Sequence, residues 1–262
     1  MTDFLDILAN ESMERTSNGY YDVQDRVEKE PVSLVKAITT CKHIPVVAEI
    51  KKRSPSLGNI RDEIDPVQVS LAFKNGGAVG ISVITEPKRF GGSLQLLRRV
   101  RETVDLPLLM KDIVSSKVQV EAASRLGADA VLLIAALFDR GYCEPSLQDM
   151  ISFVHSKNLE VILETHNEEE FSHALDTDAD ILGINNRDLR DLSVNLETAR
   201  KILKNRKPDG KIVIVESGIQ DRNDLNQLLE VGADAFLIGS SIMKARDIEE
   251  ILKEFTMTNE NC

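Results

Sequence analysis

Short apolar runs rich in Val, Ile and Leu recur at residues 45–50, 78–85, 106–110, 130–135, 159–163, 180–184, 211–215 and 235–238. Continuous runs of this kind suit parallel strands covered on both faces. The segments between them read as amphipathic helices. Asp65-Pro66 places a capping side chain before a proline at the first helical position; Val69, Ala72 and Phe73 then follow an i, i+3, i+4 face, and Gly76 marks the stop. After Ser115-Ser116, the residues Val118, Ala122 and Leu126 recur up to Gly127. After Asp221, Leu225, Leu228 and Leu229 form another such face, up to Gly232. Each unit takes about 25–30 residues, the length of a βα unit.

A weak internal repeat runs through these units. Gly127-Ala128-Asp129-Ala130, Asp178-Ala179-Asp180-Ile181 and Gly232-Ala233-Asp234-Ala235 each end a helix, turn at Ala-Asp and start a strand, and Gly76-Gly77-Ala78-Val79 is a looser copy. Eight strands in strict alternation with helices predict an α/β chain folded as a single (β/α)8 TIM barrel. A doubly wound open sheet is the alternative, but no Gly-x-Gly-x-x-Gly follows any strand. Short helical patterns at 4–13 and 32–39 precede the first strand. Residues 1–262 therefore read as one barrel domain, of which 1–43 form an N-terminal helical cap.

Composition narrows the function classes. The 262 residues include 32 Lys plus Arg against 43 Asp plus Glu, a net charge of −11. That balance argues against general binding of nucleic acid or an anionic membrane, yet leaves open a small anionic ligand, which feels only the local field. No apolar run approaches the roughly 18 residues needed to span a bilayer, and the N-terminal stretch carries no basic region or signal core. Cys41, Cys143 and Cys262 are isolated, without Cys-x-x-Cys spacing, so neither a disulfide framework nor a zinc site is expected and a reducing, cytoplasmic location is the default. The four histidines form no His-Glu-x-x-His pattern, and His166 and His173 sit in an acidic stretch that reads as solvated rather than metal-binding.

In a barrel of this kind, functional groups project from the C-terminal ends of strands. The first strand ends in Glu49-Ile50-Lys51, the third in Lys111-Asp112, the fifth in Glu164 and the sixth in Asn185-Asn186-Arg187. The seventh ends in Glu216-Ser217-Gly218 and the eighth in Gly239-Ser240-Ser241. Alternation lets Glu49 and Lys51 face the same side. With Lys111 and Glu164 opposite, they make a set able to donate and accept protons. Ser217-Gly218 and Gly239-Ser240 lie where such barrels bind phosphate, through hydroxyls and backbone N–H groups that glycine leaves open. Plainer readings compete at single positions. Lys52 and Arg53 read as solvated loop residues, Asp112, Asn186 and Asp188 as loop braces, Glu216 as a strand-end partner of a lysine and Phe90 as a surface loop residue. What favours a site is the joint pattern, polar strand ends on apolar strands.

At these residues the sequence resembles the indole-3-glycerol phosphate synthase family, from about Leu34 to Leu252. The most specific segment is Ala48-Glu49-Ile50-Lys51-Lys52-Arg53-Ser54-Pro55-Ser56. The stretch from Ser82 to Leu94, Met110-Lys111-Asp112, Gly183 to Leu189, Glu216-Ser217-Gly218-Ile219 and Phe236 to Ser241 follow in order. The resemblance implies a carboxy-lyase of tryptophan biosynthesis that closes 1-(2-carboxyphenylamino)-1-deoxyribulose 5-phosphate to indole-3-glycerol phosphate with loss of CO₂ and water. It implies no metal and no organic cofactor. It assigns Lys111 as general acid at the ribulose carbonyl, Lys51 to substrate binding and proton transfer, Glu164 as a base and Glu49 as the group orienting the lysines. Asn185 and Arg187 would hold hydroxyls and carboxylate. Ser217, Gly218, Gly239 and Ser240 would hold phosphate, and Ser54, Pro55, Phe90, Leu132 and Leu189 would line the mouth and ring pocket. Ile113 departs from the family, which often carries an aromatic there, and the first 30 or so residues match only loosely. Implied partners are a small phosphorylated substrate, with no nucleic acid and no membrane, and association with other tryptophan-pathway enzymes stays open. The alternatives are another phosphate-binding barrel enzyme, of the phosphoribosylanthranilate isomerase kind, or a non-catalytic phospho-ligand-binding barrel. Glu49-x-Lys51 followed by Arg53-Ser54-Pro55-Ser56 argues against the first, and the joint presence of Glu49, Lys51, Lys111, Glu164 and Asn185 against the second.

Overall fold

The two-residue period of each apolar run sorts its side chains into two separate cores. In the computed structural model, which describes residues 3–61, 63–206, 208 and 210–257, the runs form eight parallel strands. These are β1 (Val46–Ile50), β2 (Gly80–Ile84), β3 (Leu108–Lys111), β4 (Ala130–Ile134), β5 (Glu160–Thr165), β6 (Ile181–Asn185), β7 (Ile212–Glu216) and β8 (Ala235–Ile238). They pair in sequence order, and β8 closes on β1 through Val46↔Phe236 and Ala48↔Ile238. Closure excludes the open-sheet alternative and gives the expected (β/α)8 barrel. Val46, Ala48 and Ile50 of β1, with their counterparts on other strands, face outward onto helix residues such as Phe73, Leu97 and Leu225. Val47, Leu109, Leu132, Ile162, Ile214 and Leu237 face inward and fill the barrel. Burial on both faces is why the runs read as continuous rather than alternating.

The outer helices start where their capping residues predict. They are α3 (Pro66–Asn75), α4 (Leu94–Thr103), α5 (Lys117–Arg125), α7 (Leu147–Ser156), α8 (Glu168–Leu175), α9 (Glu197–Asn205), α10 (Arg222–Glu230) and α12 (Ile248–Thr256). Asp65, Ser93, Ser146, Asn167, Asp221 and Asp247 each accept a backbone N–H of their helix's first turn. Three elements were not foreseen: the short helices α6 (Ala135–Asp139) and α11 (Ser240–Lys244), and a small antiparallel pair, Arg53–Ser54 with Gly58–Asn59.

The Ala-Asp repeat has a structural cause. Each aspartate reaches back across the sheet bottom to accept the backbone N–H at or near the start of the preceding strand. Asp129 takes Leu108 N–H at 2.8 Å, Asp180 takes Val161 N–H at 2.7 Å and Asp234 takes Val213 N–H at 2.8 Å. The motif thus fastens β3 to β4, β5 to β6 and β7 to β8. Asp129 does more, because it also takes Val32 N–H at 2.8 Å and pairs with the buried Arg101 at 2.8 Å.

The N-terminal extension covers both ends of the barrel. Helix α1 (Phe4–Ser17) lies across the C-terminal mouth. Its Ser12 hydroxyl donates to Ile113 O at 2.6 Å, Arg15 pairs with Glu86 at 3.0 Å, and Asp3 and Asp6 pair with Arg140 at 2.8 and 2.7 Å. Helix α2 (Leu34–Thr39) closes the opposite end, where Leu34 and Ile38 join the inner core. Leu34 and Val35 N–H groups both donate to Glu160, at 2.7 and 3.1 Å. Cys41 and Cys143 are free thiols, and Cys262 lies outside the described residues. Among the described residues no helix is long and apolar enough to cross a membrane.

Two of the repeated aspartates should differ sharply in cost. Asp129→Ala leaves Arg101 buried without a counter-ion and should cost about 3–5 kcal/mol. Asp234→Ala loses one partly exposed backbone clamp and should cost about 1 kcal/mol. Urea denaturation of the two variants checks this, and equal losses would refute the assigned role of Arg101.

Candidate active site

Strand register sets the floor of the mouth. Glu49 sits beside Ser82, Ile84 beside Lys111, Ile134 beside Glu164, and Asn185 beside Glu216. All of these side chains but Ser82 line a cavity of about 910 Å³, part of it open to solvent, between the strand ends and α1. Lys111 stands at the centre: its ammonium contacts Glu216, lies 3.5 Å from Glu49 and 4.0 Å from Glu164. Lys51 pairs with Glu49 at 2.7 Å. All three carboxyls are buried.

Packing so many polar groups together needs missing side chains elsewhere. A Cβ at position 239 would stand 2.5 Å from Glu49 Oε1, and one at position 183 would stand 3.2 Å from Glu216 Oε1. At 239 the Glu49 side chain fills the space a side chain would need, and at 183 the Glu216 carboxylate shares it with the Glu164 backbone and Ile162.

Charge is unevenly spread over the cluster. Burial pushes the Glu49 carboxyl up, but Lys51 and Lys111 outweigh it and hold Glu49 below its usual value. Burial likewise opposes ionisation of Glu164, yet His166, Lys111 and Asn185 hold it well below the usual carboxylate range. Glu216 goes the other way. Burial, with Lys111 opposing and the Glu164 charge adding, pushes it up to about 7. Lys111 is raised despite burial, because Glu216, Glu49 and Glu164 surround it. It remains an ammonium and can act as an acid only when a substrate disturbs those carboxylates.

The rim opposite Lys111 is made of backbone. Ser217 and Gly218 both adopt positive φ, 66° and 86°. The left-handed region costs a serine about 1–3 kcal/mol, a strain that persists where surroundings enforce it. Asn186 enforces it by donating to Ser217 O at 3.0 Å while accepting Ala199 N–H at 3.1 Å. Gly239, Ser240 and Ser241 begin α11 beside it, and all five residues line the cavity.

Of the residues singled out in the sequence, Glu49, Lys51, Lys111, Glu164, Asn185, Arg187, Phe90, Leu132, Leu189, Ser217, Gly218, Gly239 and Ser240 all meet in this cavity. Ser54 and Pro55 do not line it: Ser54 is buried, accepting Leu57 N–H at 3.2 Å, and Pro55 is exposed. Asp112 and Asn186 are braces, as expected, Asp112 joining Thr85 at 2.6 Å and Arg15 at 3.5 Å. Asp188 pairs with Arg190 at 2.6 Å. Arg53 is not idle, because it donates to Pro87 O and Lys88 O at 2.9 and 2.8 Å. Phe90 is a cavity wall rather than a surface residue. His166 is not solvated: it is largely buried, 3.1 Å from Glu164 and 3.3 Å from Glu170. An acidic sequence neighbourhood suggested exposure, whereas those acids are its partners.

Sequence reasoning gave no place in the cavity to Glu216, Glu86 or Leu8, and noted Ile113 only as a departure from the family. Glu216 was read only as a brace. Glu86, directly after β2, accepts the N–H groups of Lys88, Arg89 and Phe90 at 3.0, 2.6 and 2.9 Å and so sets the wall that carries Phe90. The same strand-end rule, applied to the second strand, would have found it. Leu8 of α1 and Ile113 close the cavity from above with aliphatic surface.

The family model for indole-3-glycerol phosphate synthase matches residues 7–255. A Campylobacter jejuni protein named indole-3-glycerol phosphate synthase is 38% identical over 224 residues, 85% of each chain. One of that name from Aliarcobacter butzleri is 36% identical over 234 residues, 88% of this chain and 87% of the other. Among solved structures, a thiamine phosphate pyrophosphorylase from Pyrococcus furiosus (TM-score 0.58, 19% identity, 85% of this chain and 96% of that one) shares the fold. So does an N-acetylmannosamine-6-phosphate 2-epimerase from Clostridium perfringens (TM-score 0.59, 15% identity, 82% and 93%). At such identities the likeness is one of architecture. The match in family model and in full-length relatives is of another order, and on it the chain belongs to the indole-3-glycerol phosphate synthase family.

Proposed function

We propose that this protein catalyses the decarboxylating, dehydrating closure of 1-(2-carboxyphenylamino)-1-deoxyribulose 5-phosphate to indole-3-glycerol phosphate in tryptophan biosynthesis. The observation that carries the reading is Lys111, a buried ammonium held among Glu49, Glu164 and Glu216 and facing a cavity rimmed by open backbone at Ser217–Gly218 and Gly239–Ser240. The anthranilate ring carbon attacks the ribulose carbonyl, and Lys111 protonates the oxygen as the carbon–carbon bond forms. The carboxylate leaves as CO₂, restoring the ring. The new hydroxyl then leaves as water, with Lys51 supplying a proton and Glu164 removing one from carbon. Glu49 and Glu216 orient the two lysines.

Asn185 and Arg187 face the hydroxyls and carboxylate, while Phe90, Leu132, Leu189 and Ile113 give the ring an apolar wall. Anchoring the phosphate at the β7–β8 rim fixes one end of a flexible substrate, which brings ring carbon and carbonyl together. Ser54 and Pro55 shape the β1 loop from behind: Ser56, two residues on, accepts from Arg187 at 3.0 Å. We read the chain as one barrel domain with residues 1–43 as its covers, and as cytoplasmic, in keeping with its free Cys41 and Cys143.

The protein should form indole product from that substrate in excess chelator. Because the chain has no Trp, product fluorescence can be followed against a low background. No product under these conditions would sink the reading. Lys111→Ala should lower kcat on the order of 10²-fold or more. It should also lower stability, since three carboxyls lose their shared cation. Lys111→Arg should restore stability but not rate, because guanidinium keeps its proton. A fully active arginine variant would remove the acid role. Ser240→Asp should raise KM at least about 10-fold with a smaller effect on kcat, through repulsion of the phosphate. An unchanged KM would argue against the phosphate assignment.

A further inference from the structure

We infer that His166 is a positioning residue for Glu164, a fixed positive charge that keeps this carboxylate ionised and aimed into the cavity. The inference rests on Glu164 being the base proposed above. Glu164 and His166 are two residues apart, so both face the same side at the end of β5. His166 Nε2 lies 3.1 Å from Glu164 Oε1. It makes no aligned hydrogen bond, so the link is one of charge and proximity.

The other side of the ring is held harder. Glu170 Oε2 lies 3.3 Å from Nδ1 and accepts the His166 backbone N–H at 2.8 Å. Glu170 is itself fixed in the first turn of α8, where Asn167 donates to its other oxygen at 2.6 Å. A helix N-terminus favours that negative charge. A chain of alternating sign therefore runs inward from the helix: Glu170, His166, Glu164, Lys111. The remaining charged groups near it are Asp188, on the loop after β6 and paired with Arg190, and Glu216, beyond Glu164. Burial alone would discharge the imidazole, but Glu164 and Glu170 raise it to about 10. At neutral pH it is a cation and cannot itself accept a proton.

The sign of the pH effect follows. Removing the cation raises Glu164, so a larger fraction is protonated at a given acidic pH and the base is lost sooner. In kcat/KM profiles between pH 4 and 9, the acid-side limb of His166→Gln should lie at least about one pH unit above that of the wild type, the titration of Glu216 being common to both. At pH 5 its kcat should stand roughly 3- to 10-fold lower relative to the wild type than it does at pH 8, with KM changed less than about twofold. His166→Lys should restore the wild-type acid side, and Glu170→Gln should move it in the same direction as His166→Gln by less. A merely structural role would lower the melting temperature of all the variants and leave the acid side where it is, which would overturn the inference. A second readout needs no turnover. The His166 ring signal in NMR spectra of the full chain, identified by its loss in His166→Gln, should stay that of an imidazolium from pH 5.5 to 8.5. Titration near the ordinary value of about 6.5 would overturn the inference as well. If the wild type makes no indole product, it is the proposed reaction that fails, and this titration alone decides on His166.

Discussion

Everything at the mouth depends on one shared charge, the ammonium of Lys111. Removing a carboxylate from water costs several kcal/mol after relaxation, and here three are removed together. No single pairing would offset that. Lys111 contacts Glu216 and stands within 4.0 Å of both Glu49 and Glu164, and Lys51 and His166 complete the neutralisation from the two sides. The cluster is therefore stable only as a whole. Glu216, which among the described residues pairs with Lys111 alone, is the carboxyl that ionises least readily. A substrate that draws the Lys111 proton leaves three carboxylates short of a cation, and this favours the prompt return of a proton to the lysine.

The scaffold explains how such a cluster can be held. Below it, the inward residues Val47, Leu109, Leu132, Ile162, Ile214 and Leu237 form a packed apolar floor, and Leu34 and Ile38 of α2 extend it at the far end. Above it, α1 contributes Leu5, Leu8 and Ala9 to the same inner core. The glycines at 183 and 239 show that the cluster was accommodated at the expense of side chains on the neighbouring strands. Packed interiors tolerate little change of volume, so the carboxylates and their glycines have to be considered as one unit.

Much of this was legible in the sequence, for reasons that are local. Two-residue alternation places Glu49 and Lys51 on one side, and the strand-end rule collects Lys111, Glu164, Asn185 and the two glycine-serine rims. What escaped depends on contacts between distant segments. Lys111 and Glu216 are 105 positions apart and meet only because barrel closure brings β3 and β7 to the same floor. His166 looked solvated because its neighbours are acids, and only the return of α8 over β5 turns Glu170 into its partner. Ser54 and Pro55 carry the most specific motif of the chain, yet the short antiparallel pair behind β1 turns them out of the cavity. The Ala-Asp repeat was visible as pattern but not as cause. Its aspartates act across the sheet bottom, on a strand that the motif does not contain.

The division of labour between the two rims resolves the apparent conflict of a chain at net charge −11 with a doubly anionic substrate. In the proposed reaction the phosphate meets neutral donors, the backbone N–H groups and hydroxyls around Ser217–Gly218 and Gly239–Ser240. Such donors bind an anion through fixed dipoles and do not titrate. Had a lysine held the phosphate instead, its proton would have been tied to a dianion throughout the reaction. In that reading Lys51 and Lys111 keep their carboxylate partners, and Lys111 gives up its proton only when the substrate disturbs them. The left-handed turn at Ser217, which Asn186 enforces, belongs to the same proposed rim. Net charge, spread over the outer helices, has little influence on the local field of a mouth built in this way.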